Sequence, residues 1–140
     1  MTIGEDLIEH LNDDGDVVAL VSDRISQGAV NEDDTHPRIW LGRASRNHDL
    51  DCGGVGGIIE DNFDLEIVAE HDADTDGIEQ ALEIAEAVRD SLHGFTGEMG
   101  VTTVLGCFVD DQSDDYLYKS IDSPDGLYMS ALNVRILHST

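Results

Sequence analysis

The sequence predicts an α+β fold: a single domain, residues 1–140, built on a mostly antiparallel sheet with one long amphipathic helix packed on it and a short N-terminal helix. Three observations lead there. Across residues 75–92, the apolar residues Ile78, Ala81, Leu82, Ala85, Val88 and Leu92 recur at helical spacing, with Glu79, Glu83, Glu86 and Asp90 on the other side. Across residues 58–69, Phe63, Leu65, Ile67 and Ala69 alternate with Asn62, Asp64 and Glu66, the pattern of a strand with one buried and one wet face. Along the chain the order is helix, strands, helix, strands, which fits a helix laid on a largely antiparallel sheet.

The first helix starts at Thr2 and Glu5, which have the spacing of a capping box, and continues through Ile3, Leu7, Ile8 and Leu11. Asn12, Asp13, Asp14 and Gly15 end it. A short helical turn is expected at residues 16–21, then a brief extended piece at residues 24–26. Residues 31–36 form a polar loop, and Pro37 forces His36 to be extended. Residues 38–45 read as a strand with Ile39 and Leu41 on one face and Trp40 on the other. The four glycines between Cys52 and Ile58 suit a flexible hairpin connection. They lack the following helix and Lys-Ser or Lys-Thr pair of a phosphate-binding loop.

Asp74 and Asp76 favour the positive N-terminal end of the long helix, and Gly94 suits its left-handed end. Residues 101–109 are apolar enough for a central strand, residues 110–115 read as an acidic turn, and residues 116–121 as a short strand. Ser123, Pro124, Asp125 and Gly126 signal a turn. Residues 127–137 form the last strand, with Tyr128, Leu132, Val134 and Ile136 on one face.

Composition narrows the function. The chain has 31 Asp and Glu against 7 Lys and Arg, a net charge of −24 with Lys119 its one lysine. The acids are spread over the whole chain, which disfavours a disordered acidic tail and a concentrated nucleic-acid-mimicking face. The better reading is a carboxylate surface suited to concentrated salt, where self-repulsion is screened. The same charge argues against sequence-independent DNA affinity, and Arg38, Arg43 and Arg46 form the one local basic stretch. No apolar run is long enough to span a bilayer, and the N-terminus lacks signal-peptide features, so a soluble protein made in a cytoplasm is expected. A Cys52–Cys107 bridge is disfavoured in such a compartment, and Cys107 reads as a small buried hydrophobe.

One spacing matches a calcium pattern. Asp72, Asp74 and Asp76 alternate, Gly77 follows, and Glu83 stands at the twelfth position, as in an EF-hand loop. Hard cations need oxygen ligands, so these are the candidate metal residues, with calcium the ion. A strand precedes the loop where an EF-hand needs a helix, and Glu79 occupies a position that is usually apolar. Helix capping and solvation of the polar helix face are therefore the favoured role of these acids. The six histidines read as surface or loop residues, without zinc-ligand spacing, and no nucleophile or paired-carboxylate arrangement argues for an enzyme.

The order of segments then becomes recognisable: residues 6–11, Val17–Val21 and Asp23-Arg24-Ile25, the stretch His36-Pro37-Arg38-Ile39-Trp40-Leu41, the strand at residues 63–69, the helix ending Arg89-Asp90-Ser91-Leu92-His93, and the strand ending Val134-Arg135-Ile136-Leu137. It resembles the tail completion protein family of long-tailed phages, whose fold is similar to that of tail terminator proteins. The resemblance covers nearly the whole chain. The Gly-rich loop, the length of residues 110–126 and the acidity depart from it.

The resemblance implies a virion structural protein without catalytic residues. It implies a homo-oligomeric ring, usually a hexamer, on the head-proximal end of the tail tube, contacting the tube protein and the head connector while DNA passes through the lumen. An acidic lumen would repel phosphates. The last strand is expected as an edge that pairs between subunits, and loops 46–57, 94–100 and 110–126 as segments that order on docking. With the acidity, the resemblance points to a virus of a salt-loving, haloarchaeal host. The competing functions are a neck or head-completion protein on the portal side, a cation-binding acidic module, and an acidic inhibitor that captures a basic partner.

Overall fold

The computed structural model describes residues 2–22, 24–27, 37–48, 58–72, 74–118 and 126–139. The expected loop at 31–36, the Gly-rich connection, Cys52, Lys119 and the turn at Ser123–Asp125 lie outside them. Helix α1 (Ile3–Asn12) opens with the expected capping box. Thr2 Oγ1 accepts from the Glu5 amide at 3.2 Å, and the Glu5 carboxylate accepts from the Thr2 amide at 3.0 Å. Helix α2 (Gly15–Val21) is a full seven-residue helix where the sequence suggested a turn. Asp14 is extended and its carboxylate accepts from the Asp16 and Val17 amides, so the chain restarts as a helix at once and Gly15 begins α2.

The remaining elements are β1 (Ile25–Gln27), β2 (Arg38–His48), β3 (Ile58–His71), α3 (Gly77–Leu92), β4 (Gly97–Met99), β5 (Thr102–Tyr118) and β6 (Gly126–Ser139). They form one six-stranded sheet in the order β1-β2-β3-β6-β5-β4. The β1–β2 pair is parallel and the others are antiparallel. The α+β class and the mostly antiparallel sheet are as expected, with one parallel pair added.

Three expectations are corrected. The last strand, β6, is interior, held by β3 on one side and β5 on the other, so it is no edge. Residues 110–115 are strand, because β5 runs on to Tyr118 after register shifts between Val104 and Gly106 and between Val109 and Asp111. A half of a strand that is wet on both faces has the hydropathy of a turn. The supposed docking loops are also partly sheet: residues 46–48 end β2, Gly97–Met99 is β4, and residues 110–118 belong to β5.

The helices cover one face of the sheet. The core joins Leu65 and Ile67 of β3 and Leu132, Val134 and Ile136 of β6 to Ala81, Ile84, Ala85, Val88 and Leu92 of α3. The helix is rotated from its expected orientation: Ile84 is buried, whereas Ile78 and Leu82 are 37% and 39% exposed. Gly77, Ala81 and Ala85 let α3 approach the strands closely. A Cβ on Gly77 would stand 2.4 Å from the Glu70 carbonyl oxygen. Gly94, at φ +83°, ends the helical segment as expected.

The sheet curls around α1, which touches both of its ends. At Gly4, an added Cβ would strike the Gln27 side chain of β1. Two residues on, the buried Asp6 sits against Gly100, which links β4 to β5 at φ +59°, and accepts from Thr102 Oγ1 at 2.5 Å. Trp40 is buried on the opposite face, under the Arg38 guanidinium at 5.4 Å, as the strand parity required. Among the described residues no helix is long and apolar enough to cross a membrane.

Two measurements check this packing. Gly77→Ala is expected to lower stability by about 1–3 kcal/mol in urea unfolding, because backbone is what the methyl group meets. Burial pushes the Cys107 thiol up to about 12. In a Cys52→Ser variant, a thiol reagent at pH 8 should therefore modify Cys107 only as fast as the protein opens.

Candidate functional site

The candidate metal residues are placed apart. The Asp72 carboxylate accepts from the Asp74 and Thr75 amides at 2.9 and 2.8 Å, closing the loop that follows β3. Asp76 is the N-cap of α3 and accepts from the Glu79 amide at 3.1 Å. His71 Nδ1 accepts from the Gly77 amide at 3.1 Å and lies 3.8 Å from the Asp76 carboxylate. Asp74 is exposed. Glu83 stands six residues into the helix, roughly 9 Å along its axis from Gly77. There it lines a separate open groove of about 330 Å³ with Asp14, Asp16, Glu86 and Asp90. Among the described residues no group of three or more His, Cys, Asp or Glu is placed to hold a metal ion. What Asp72 and Asp76 do in the structure is satisfy backbone amides at the start of a helix, where negative charge is also favoured by the dipole.

Two carboxylates are fully buried among the described residues, Asp6 beside Gly100 and Asp61 on the helix side of β3. The register partner of Asp61 on β2 is Arg46, and His138 stands nearby on β6. Arg46 donates to both carboxylate oxygens at 2.8 Å, a bidentate pair. His138 Nε2 lies 2.8 Å from Asp61 Oδ2. Burial pushes the Asp61 carboxyl up, but the hydrogen bonds from Arg46 and His138 outweigh it and hold the group below the ordinary carboxylate range. The sequence reading put Arg46 in a basic patch and His138 on the surface. Both instead surround a buried acid. Strand parity carried the signal, since Asp61 is two residues before Phe63 on the same face.

This network borders a cleft of about 810 Å³ between the start of α1, the sheet and the start of β5. Ile3, Leu41, Phe63 and Val101 line it beside Arg46 and His138. The face of the sheet turned from the helices carries Asp64, Glu66, Asp111 and Asn133, with Asp64 and Asp111 exposed. The geometry is that of surfaces, with acids on the bare sheet face, along α3 and along β5.

Comparison with known proteins gives the family. The family described as Tail completion protein gp17 matches residues 5–139. The chain belongs to this family. As a tail completion protein, it is a structural protein of a virion, and its place there is the head–tail region. A solved chain from a structure described as "Virion of native gene transfer agent (GTA) particle" has the same fold, with a TM-score of 0.73. The match covers 96% of this chain and 92% of that one at 18% identity. No curated protein matches the sequence significantly. In this tail completion protein, the features to explain are therefore contact surfaces.

The Asp61 network makes a testable claim about stability. Arg46→Ala is expected to cost about 3 kcal/mol in urea unfolding, because it leaves a buried carboxylate short of its partner. The sign of the pH dependence follows from the lowered Asp61 value. Its stabilisation is complete above the unfolded carboxyl pKa of about 3.9 and is lost as pH falls through the lower folded value. The stability difference between the wild type and Asp61→Asn should be flat above about pH 5 and shrink below about pH 4.

Proposed function

We propose that the chain assembles as a hexameric ring on the head-proximal end of the tail tube, ends tube growth there, and presents a surface to the head connector. The observation that carries this reading is the family match across residues 5–139. Two features of the molecule support it. The sheet face turned from the helices is acidic, with Asp64 and Asp111 exposed, and a lumen lined by such a face would repel the phosphates of passing DNA. Among the described residues the sheet has edge runs without a neighbouring strand, and a ring of identical chains needs such surfaces for contact between subunits.

Absolute mass by light scattering after size exclusion tests the proposal. In about 1 M salt the Debye length is about 3 Å, so repulsion between chains of charge −24 is nearly abolished. A ring-sized particle is expected there, or a monomer that becomes one when tail tubes of the same virus are added. Dilute buffer should favour the smaller species. A folded monomer at every salt concentration that ignores tubes would sink the ring. Binding to the portal-side connector but not to tubes would move the protein to the other side of the joint.

A further inference from the structure

Two runs of strand lack a partner among the described residues, and they stand near opposite ends of the sheet. On β5, β4 pairs only with Thr102–Val104. The turn after α3 covers the next stretch, with the Gly94 amide donating to the Cys107 carbonyl at 2.7 Å and the Val109 amide to His93 Nδ1 at 3.1 Å. Beyond Val109 no described strand lies on the outer side of β5. Residues 110–115 are all exposed there. The Gln112 amide donates to the carboxylate of Asp111 at 2.9 Å, and the Tyr116 amide to that of Asp115 at 2.8 Å. These amides are met by the neighbouring acids in place of another strand. On β2, β1 pairs only with Ile39–Leu41, so residues 42–48 have no described strand outside them.

These two edges are complementary in three ways. Strand β2 is antiparallel to β3, β3 to β6 and β6 to β5, so β2 and β5 run in opposite directions. When the sheet of one copy continues into that of the next, β5 therefore meets β2 as an antiparallel pair, the arrangement with the better hydrogen bonds. Their charges are complementary. Asp111, Asp114 and Asp115 stand on the β5 run, where Asp110 is already paired with Arg135, whereas residues 42–48 hold no acid at all, and Arg46 among them is bound to Asp61. Finally, a contact that joins two different edges is head-to-tail, and head-to-tail contacts generate rings when the rotation closes. Tyr116 and Tyr128, half-buried with ring centroids 6.3 Å apart, give the β5 edge an apolar flank.

We propose that residues 110–116 of β5 are the edge at which a second copy of this chain adds residues 42–48 of its β2 as an antiparallel strand. The aspartates of that edge make the joint salt-dependent. In dilute buffer they occupy their own amides and repel another acidic chain. In concentrated salt the repulsion is screened and the edge is free to pair. The inference rests on the ring reading above and deepens it.

The test compares the wild type with Gln112→Pro and with an Asp111→Ala, Asp115→Ala double variant, by light scattering from about 0.05 to about 1 M KCl. Circular dichroism and thermal melting report the fold. Proline on an edge amide that faces outward keeps the subunit and blocks pairing. The alanines free the Gln112 and Tyr116 amides and remove two of the repelling charges. The expected result is a ring-sized wild type in high salt, a folded monomer for Gln112→Pro at every salt, and a double variant that reaches the ring at lower salt than the wild type. Hydrogen exchange supplies a second measurement: the Gln112 and Tyr116 amides of the wild type should slow at least about tenfold on assembly. If Gln112→Pro forms the wild-type particle, if the double variant needs as much salt as the wild type, or if those amides exchange equally fast in ring and monomer, the β5 edge is not the joint, while the ring stands. A wild type that stays monomeric in every salt and ignores tubes overturns the ring and this joint together. Should Gln112→Pro fail to fold, the double variant and the exchange pattern decide.

Discussion

The structure depends on one contact, the packing of α3 onto the alternating faces of β3 and β6. A chain with net charge −24 repels itself in dilute solution, so its cohesion has to come from apolar burial. Leu65, Ile67, Leu132, Val134 and Ile136 offer a flat apolar surface, and Ala81, Ile84, Ala85, Val88 and Leu92 close over it. Each fully buried aliphatic side chain of Val or Leu size contributes about 1.5–3 kcal/mol relative to exposure. The small residues on α3 matter as much as the large ones. Gly77 abuts the backbone of Glu70, so the helix sits low on the sheet and its more lateral residues, Ile78 and Leu82, are left half in water.

Packing on one face does not by itself fix how the strands align. The Asp61 network does. Arg46 is directly opposite Asp61 in the β2–β3 register, and His138 closes the site from β6. A slip of β2 by one residue would turn Arg46 to the other face and leave a buried carboxylate without its bidentate partner. Such a pair adds little net stability compared with an apolar replacement, because both charges lose water. Its effect is to make misaligned states costly. The register shift between Arg43 and Ser45 lies close to this pair, so the irregular part of β2 is where the alignment is most in need of such a lock.

What could be read from the sequence follows the range of each signal. The capping box of α1, the alternation in β3 and the faces of β6 are local patterns, and the structure has them as expected. The central place of β6 is a matter of pairing between distant segments, and no local pattern carries it. The far half of β5 has no strand pattern because no described residue covers it, and residues 110–115 are all exposed. Without a buried face, Asp110, Asp111, Asp114 and Asp115 have no apolar partners to set a period of two. The acids at 72–76 carry two readings in the sequence, with helix capping the favoured one. Their spacing is that of an ion-binding loop, yet Asp72 and Asp76 bond to backbone amides and Glu83 lies in another groove. Spacing alone does not reveal whether oxygens converge. Asp61 was legible in parity, and it was passed over because a charged residue on a core face reads as an exception.

Seen from the edges of the sheet, the acidity has a structural use beyond solubility. A long unpaired strand edge is a template for any passing strand, and proteins commonly protect such edges with charge. Part of the described edge is protected by neutral means: α1 holds β1 and β4, and the turn after α3 covers Cys107 and Val109. The remaining run on β5 is protected by carboxylates instead, and two of them bond to its own amides. A helix laid over that run would close it permanently. Carboxylates close it conditionally, since their effect depends on ionic strength and on what charge approaches. In the proposed ring, a chain that stays single until it assembles needs that kind of closure. The same chemistry disfavours an acidic strand at this edge and admits residues 42–48, which hold no acid.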